Sequence, residues 1–316
     1  MKYIVTGGAG FIGSHIVEAL AGSHDVVVID NFSSGKPENL AGFPGRVTCI
    51  TGSINDLPLL KEVFKGAEGI FHLGAIASVA RSVDDPGATH ETNLTGTLNV
   101  LLAARDCGVK KVVFSSSSAV YGDEPTLPKR EEMTPVPLSP YAVSKLAGEY
   151  YCRVFSELFG VKTVSLRYFN VFGPRQDPQS EYAAVIPKFI TRLLNHQAPL
   201  IFGDGKQTRD FVYVKDVVQA NLLAMQSTET GTFNIGSGQK IDLTTLAGDL
   251  ARIMDIHVPP VYGEPRPGDI RDSVSDISAV KKALGYKAAF SLDKGLAETI
   301  RWFRDRESGV KKDLGV

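Results

Sequence analysis

Tyr141 stands four residues ahead of Lys145 in the stretch Ser139-Pro140-Tyr141-Ala142-Val143-Ser144-Lys145. Residues four apart lie on one face of a helix, so this spacing brings an ammonium to a phenol. A nearby cation favours the phenolate, and each unit by which the pKa falls is worth about 1.36 kcal/mol. A tyrosine treated in this way is a general base near neutral pH. A surface lysine beside a half-buried tyrosine has the same spacing, so the pair needs support from elsewhere. The run Ser115-Ser116-Ser117-Ser118, ahead of Ala119-Val120-Tyr121-Gly122, is a second candidate. A serine hydroxyl there can face the Tyr141 phenol and hydrogen-bond a substrate hydroxyl, although serine runs are also common in turns.

The third candidate is a phosphate cradle. Residues 2–6 read as a short buried strand, followed by Gly7-Gly8-Ala9-Gly10-Phe11-Ile12-Gly13 and a helical pattern through Leu20. Residues 25–30 read as a second strand ending in Asp30. Gly8, Gly10 and Gly13 fit G-x-G-x-x-G, and Gly7, Gly10 and Gly13 fit G-x-x-G-x-x-G. Such glycines allow a tight turn, admit a pyrophosphate to the backbone and let helix pack on strand, while the helix N-terminus offers free N–H groups. Asp30 lies 17 residues past Gly13, about where an acid binds the adenosine ribose 2′-hydroxyl. A carboxylate repels a 2′-phosphate, so NAD is favoured over NADP.

These residues need a scaffold, and the chain supplies a βα alternation. Residues 46–51, 69–73, 111–115 and 163–166 read as further strands. Residues 57–64 and 91–107 read as helices, as does the segment that Ser139 caps and Gly160 ends. Repeated βα units imply a parallel sheet covered on both faces, an α/β Rossmann-type doubly wound fold. After about residue 168 Gly and Pro become frequent and the strands short. We expect a dinucleotide-binding domain at 1–168, with segments near 211–235 returning to it, and a smaller α/β substrate-binding region over 169–316. The last helix is expected at about 292–304, around the single Trp302.

Composition narrows the rest. The chain has 316 residues, 43% hydrophobic and 22% charged, as ordinary soluble domains have. A net charge of −1 gives no general attraction for nucleic acid or anionic membrane. No apolar run approaches the ~18 residues of a membrane span, and Met1 leads straight into a strand without a signal-like segment. Three cysteines without pattern and six scattered histidines argue against a disulfide framework or a metal site and for a reducing cytoplasm.

Taken together, these motifs resemble the extended short-chain dehydrogenase/reductase family, and within it the nucleotide-sugar 4-epimerases of the UDP-glucose 4-epimerase type. The likeness runs over about residues 1–305. It is carried by Gly7–Gly13, His72-Leu73-Gly74-Ala75, Asn93, the serine run and Tyr141-x-x-x-Lys145. Further along it includes Arg167-Tyr168-Phe169-Asn170-Val171-Phe172-Gly173-Pro174-Arg175, Gly203-Asp204-Gly205 with Arg209-Asp210-Phe211, and Arg266-Pro267-Gly268-Asp269.

The resemblance implies that Tyr141 is base and acid at the sugar 4′-hydroxyl, that Lys145 lowers its pKa and holds the nicotinamide ribose, and that Ser117 bridges to the same hydroxyl. For NAD it implies Gly7, Gly10, Phe11, Ile12, Gly13, Asp30 and Asn31. Later positions of the same set are Ser53, Ile54, Leu73, Ala75, Asn93, Ser115 and Tyr168. For the UDP-sugar it implies Ser78, Asn170 and Gln176, with Ala184, Val185 and Ile186 at the uracil. Arg209 and Arg266 would sit on the pyrophosphate, Asp269 on the uridine ribose and Ser273 beside the hexose C2 substituent. The likeness also suggests a homodimer through the 91–107 helix and the Tyr141 helix. Ser53 is a departure, since many relatives place an Asp there against the adenine amino group.

The same comparison bears on the reaction. Related 4,6-dehydratases and UDP-glucuronate decarboxylases carry acids just before Val-Tyr-Gly, where this chain has Ser118-Ala119. Without a carboxylate to carry a 4-ketone further, 4-epimerisation remains, a redox-neutral cycle in which NAD stays bound. Ser273 is small, leaving room for an N-acetyl group, and residues 173–187 look like those of UDP-N-acetylglucosamine 4-epimerases. The expected substrates are UDP-glucose/UDP-galactose and UDP-GlcNAc/UDP-GalNAc. UDP-glucuronate 4-epimerisation is the nearest rival, though the sequence identifies no donor for its 5-carboxylate. A net NAD(P)-linked reductase and a non-catalytic NAD-sensing regulator are rivals of other classes.

Overall fold

A computed structural model describes residues 1–43, 47–178, 184–265 and 270–313. The first half alternates as expected: β1 (Lys2–Thr6), α1 (Phe11–Ala21), β2 (Asp25–Asp30), β3 (Val47–Thr51), α2 (Leu57–Val63) and β4 (Gly69–His72). Next come α3 (Val79–Asp84), α4 (Pro86–His90), a π-helical turn (Glu91–Thr95), α5 (Gly96–Asp106), β5 (Lys111–Ser117), α6 (Pro140–Phe159) and β6 (Lys162–Tyr168). Short strands dominate the second half: β7 (Asn170–Phe172), α7 (Val185–Leu194), β8 (Leu200–Phe202), β9 (Thr208–Arg209), β10 (Phe211–Tyr213) and α8 (Val214–Gln226). The chain then runs through β11 (Gly231–Ile235), β12 (Ile241–Asp242), α9 (Leu243–Met254), β13 (Val261–Gly263), α10 (Ser278–Leu284) and α11 (Leu292–Asp313).

Seven parallel strands form one sheet in the order β11-β6-β5-β4-β1-β2-β3. Period-two alternation sends Tyr3 and Val5 of β1 to one core and Ile4 to the other. On the first face the strands meet Ile16, Val17 and Leu20 of α1, Val217 and Ala220 of α8 and Val280 of α10. On the second they meet Leu60 of α2, Val100 and Leu101 of α5 and Phe155 of α6. Each such side chain contributes about 1.5–3 kcal/mol when removed from water. Both faces are therefore covered, and the chain order reverses between β1 and β4. That opens a crevice beyond the carboxyl ends of these strands.

Outside the sheet, β7 pairs with β10, β9 with β12 and β8 with β13. A third core, with Phe172, Ile186, Phe189, Leu193, Phe211, Leu246 and Phe303, joins these pieces to α7, α9 and α11.

The structure differs from the sequence reading in detail. The helix expected at 91–107 starts at Pro86, one turn earlier, and bulges into π geometry over 91–95. Asp85 caps its start by accepting the Ala88 N–H at 2.9 Å. The last helix runs on to Asp313. Arg46, taken as the first residue of the third strand, lies outside the described residues.

Candidate active site

Three glycines shape the end of β1. Gly7 has φ +69°, the left-handed region, and a Cβ on it would meet the backbone of Gly74 on the neighbouring loop. A Cβ on Gly13 would overlap the Gly7 carbonyl oxygen, so α1 reaches the turn only through glycine. Gly10 caps α1 without a side-chain hydrogen bond, which leaves first-turn N–H groups of Phe11, Ile12 and Gly13 for an anion. Asp30, at the end of β2, is buried. Its carboxylate oxygens accept the N–H groups of Ala9 at 2.9 Å and Phe32 at 2.9 Å, so it ties the turn to β2 and keeps further lone pairs. A bare-backbone cradle beside a buried acid fits a pyrophosphate and its adenosine ribose. Asn31 accepts the Ser33 N–H and is exposed. Ser53 accepts the Asn55 N–H at 3.1 Å, a local turn, and Ile54 packs on Gly74 and Gly96.

At the crevice, β4 and β5 end beside α6. Lys145 is buried and donates from Nζ to the Ser115 carbonyl at 2.8 Å. The Ser117 side chain favours the Tyr141 phenolate, and its Oγ accepts the Ala119 N–H at 3.1 Å. Lys145 Nζ lies 5.8 Å from the Tyr141 ring centroid. One expectation is corrected here. Burial pushes the Tyr141 phenol up from its ordinary value, and the opposing influence comes from Ser117. Burial also pulls Lys145 down to about 8. Spacing on a helix shows that two groups are neighbours; it does not show how much water either keeps.

Around this centre, Asn93 of the π turn is buried. Its Oδ1 accepts the Ile76 N–H at 2.7 Å, and its Nδ2 donates to the Ile76 carbonyl at 3.0 Å and to Ser144 Oγ at 3.1 Å. The amide thus staples the loop carrying Leu73 and Ala75, both half-buried, to the residue beside Lys145. His72 sits between Thr6 Oγ1 at 2.7 Å and Thr97 Oγ1 at 3.0 Å, and burial pulls it down to about 3, so it is neutral. Tyr168 is buried with its hydroxyl on Asn221 Oδ1 at 3.0 Å, turned to α8. Ser78 caps α3 by accepting the Arg81 N–H.

The other side of the crevice comes from the second half. Asn170 Nδ2 donates to the Asp210 carbonyl at 3.3 Å. Gln176 donates to the Val171 carbonyl at 3.1 Å, and its buried Oε1 has no hydrogen-bond partner among the described residues. Arg209, half-buried on β9, donates to the Thr208 carbonyl at 2.9 Å. The Ser273 N–H bonds the Thr208 carbonyl at 3.2 Å, which sets Ser273 beside Arg209. Ala184 is exposed and Val185 half-buried at the start of α7. Ile186, expected at the uracil, is 1% exposed within the third core, because the first turn of α7 buries that face. Arg266 and Asp269 lie outside the described residues, as do Tyr182 and Ala183 of the 173–187 likeness.

Several residues that build the site were not singled out by type and spacing. Asp210, fully buried, accepts from the N–H and Oγ of both Ser237 and Ser275 and from the Gly238 N–H. It locks β10 to the segment that carries Ser273. Lys36 pairs with Asp177 at 2.9 Å, and Arg175 pairs with Glu18 at 2.7 Å, so the loop after β7 is pinned to both flanks of the glycine turn. Glu149, four residues past Lys145, pairs with Arg167 below the serine run. Among the described residues no group of three or more His, Cys, Asp or Glu side chains is placed to hold a metal ion, and no helix is long and apolar enough to cross a membrane.

Known proteins share this arrangement. The UDP-glucose 4-epimerase of Thermotoga maritima, solved with UDP-glucose, is 42% identical with TM-score 0.93 and covers 97% of this chain and 100% of that one. The UDP-N-acetylglucosamine 4-epimerase of Methanobrevibacter ruminantium, solved with UDP-N-acetylmuramic acid, is 42% identical with TM-score 0.92, covering 96% and 98%. The UDP-glucose 4-epimerase of Thermus thermophilus, solved with NAD, is 39% identical with TM-score 0.88, covering 96% and 99%. The profile of the NAD dependent epimerase/dehydratase family matches residues 3–236. These matches show that this chain belongs to the NAD dependent epimerase/dehydratase family, and its cofactor is NAD.

Proposed function

We propose that this protein is a UDP-sugar 4-epimerase that interconverts UDP-glucose with UDP-galactose and UDP-GlcNAc with UDP-GalNAc, keeping NAD bound throughout. The observation that carries the reading is the meeting of Ser117, Tyr141 and Lys145 at the end of β5, where Ser118 and Ala119 supply no carboxylate. NAD held by the Gly7–Gly13 turn and Asp30 would supply a hydride acceptor, and later donor, for C4 of the sugar. Tyr141 removes the proton of the 4′-hydroxyl and later gives it back. Ser117 holds that oxygen, and the buried Lys145 cation favours the phenolate. With no acid at 118 or 119 the keto-sugar is not carried into elimination, and only its rotation precedes the return.

In this reading residues 1–168, with 211–235 returning, hold the cofactor, and most of 169–316 holds the UDP-sugar. Arg209 faces its pyrophosphate, where a guanidinium suits phosphate oxygens. Gln176 Oε1 accepts from a sugar hydroxyl. The protein is a homodimer: Val143, Tyr150, Val154 and Leu158 form an exposed apolar stripe along α6, with Leu158 71% exposed. Light scattering that gives a monomer mass removes the dimer.

The test mixes purified protein, without added NAD, with UDP-glucose, UDP-GlcNAc and UDP-glucuronate separately and follows products by NMR. C4 epimers of the first two are expected; conversion of neither overturns the assignment, and conversion of the third alone moves it to the glucuronate series. Tyr141→Phe should lower turnover by about 10²–10⁴-fold while NAD stays bound.

A further inference from the structure

Glu149 lies on the buried face of α6, at i+4 from Lys145 and i+8 from Tyr141. It is 4% exposed on its side chain, as deep as its partner Arg167 at 5%. Arg167 donates to it through Nε at 2.9 Å and Nη2 at 2.8 Å, a bidentate pair. The Ser116 hydroxyl donates to Glu149 Oε1 at 2.5 Å. Ser116 is the middle of three residues whose neighbours both serve the centre: the Ser115 carbonyl accepts Lys145, and the Ser117 side chain favours the Tyr141 phenolate. Gly148 makes this possible, because a Cβ there would strike the Phe114 ring and hold α6 off β5.

A buried ion pair of this kind is a poor source of stability, since desolvation offsets most of its attraction. Its position says more. The titratable groups that face Lys145 are His72 from β4 and Tyr141, Glu149 and Cys152 from α6, with Arg167 of β6 behind Glu149. Burial keeps His72 uncharged and pushes the Cys152 thiol up to about 12. Glu149 is then the carboxylate that offsets the desolvation of the Lys145 ammonium.

We propose that Glu149 is a positioning residue for the reaction: it holds Ser116, and with it the Ser115 and Ser117 partners, against α6, and it keeps Lys145 cationic through its charge. The role rests on Lys145 serving the Tyr141 chemistry described above. Removal of the Glu149 charge lets Lys145 lose its proton at lower pH, and the site loses the cation that favours the phenolate.

The experiment compares the wild-type holoenzyme with Glu149→Gln on whichever nucleotide sugar the wild type turns over, so a change of substrate assignment does not affect it. The alkaline limb of kcat should move down by roughly one pH unit. kcat at pH 8 should fall about fivefold with KM nearly unchanged, as for an interaction that serves the transition state. NMR of ε-¹³C-lysine in the same holoenzymes reads the Lys145 midpoint directly and needs no turnover. Where Glu149→Gln does not fold, Glu149→Leu with Arg167→Met removes both charges without stranding one. That pair should fold and shift Lys145 in the same direction by less. An alkaline limb and a Lys145 midpoint that stay in place in a folded variant overturn the proposal.

Discussion

The two walls of the crevice are made of different material. The cofactor wall is mostly backbone: Gly7 and Gly13 bare of Cβ, the open start of α1, and Asp30 holding the Ala9 N–H at 2.9 Å. The opposite wall is side chains carried by separate short pieces. Asn170 comes from β7, Gln176 from the loop after it, Arg209 from β9, and Ser273 from a segment bonded to Thr208. A backbone cradle binds what every member of a cofactor class shares, and it tolerates little change. A wall of side chains can be re-cut one residue at a time without moving the sheet. In the proposed reading the first wall holds the cofactor and the second sets selectivity.

The largest expected effect attacks the cradle. Gly13→Ala forces a Cβ into the Gly7 carbonyl and should destabilise the fold by about 1–3 kcal/mol and strip NAD during gel filtration. NAD retained at wild-type stoichiometry breaks the distinction between the walls. Arg209→Ala should raise KM for the UDP-sugar by about 10–100-fold, the range of a lost charge-assisted hydrogen bond, and leave NAD in place. Loss of NAD in that variant would mean that the walls are not separable. Ser273→Tyr fills space and should lower activity on the N-acetylated pair about tenfold while sparing UDP-glucose, a group-sized change in a pocket. Equal losses on all substrates place Ser273 away from the C2 substituent.

The last test concerns acid, and at neutral pH its effect is the smallest. His72 is held at about 3 in the folded protein against an ordinary 6.5, because burial disfavours its charge. Its folded pKa is depressed, so its contribution is intact above pH 6.5 and declines as pH falls toward 3. The slope is about 1.4 kcal/mol per pH unit within that window. His72→Asn should lower stability at pH 7 yet flatten the acid side of the profile in urea titrations. An unchanged slope would mean that His72 takes up its proton as readily folded as unfolded.

How much of this was legible differs by residue. Gly7, Gly10, Gly13 and Asp30 were readable because a turn is a local requirement, met by neighbours within one βα unit. The parallel sheet was readable from alternating apolar runs. Asn93 is different: it was noticed, but its work on Ile76, 17 residues away, and on Ser144, 51 residues away, has no local signature. Asp210 gathers partners 27 and 65 residues along the chain. Glu149 did leave a trace, a carboxylate one turn beyond Lys145, but nothing local told it from a surface acid.

The amino-acid sequence by itself determined the doubly wound sheet, the dinucleotide cradle and the pairing of Tyr141 with Lys145, since each depends on backbone geometry and spacing within one or two elements. Tertiary structure alone decided which groups lost their water. It placed Lys145 on the Ser115 carbonyl, raised the Tyr141 phenol where spacing had suggested the reverse, and put the Glu149–Arg167 pair beneath the serine run. Desolvation depends on everything that packs around a group, and those neighbours come from strands and helices far apart in the chain.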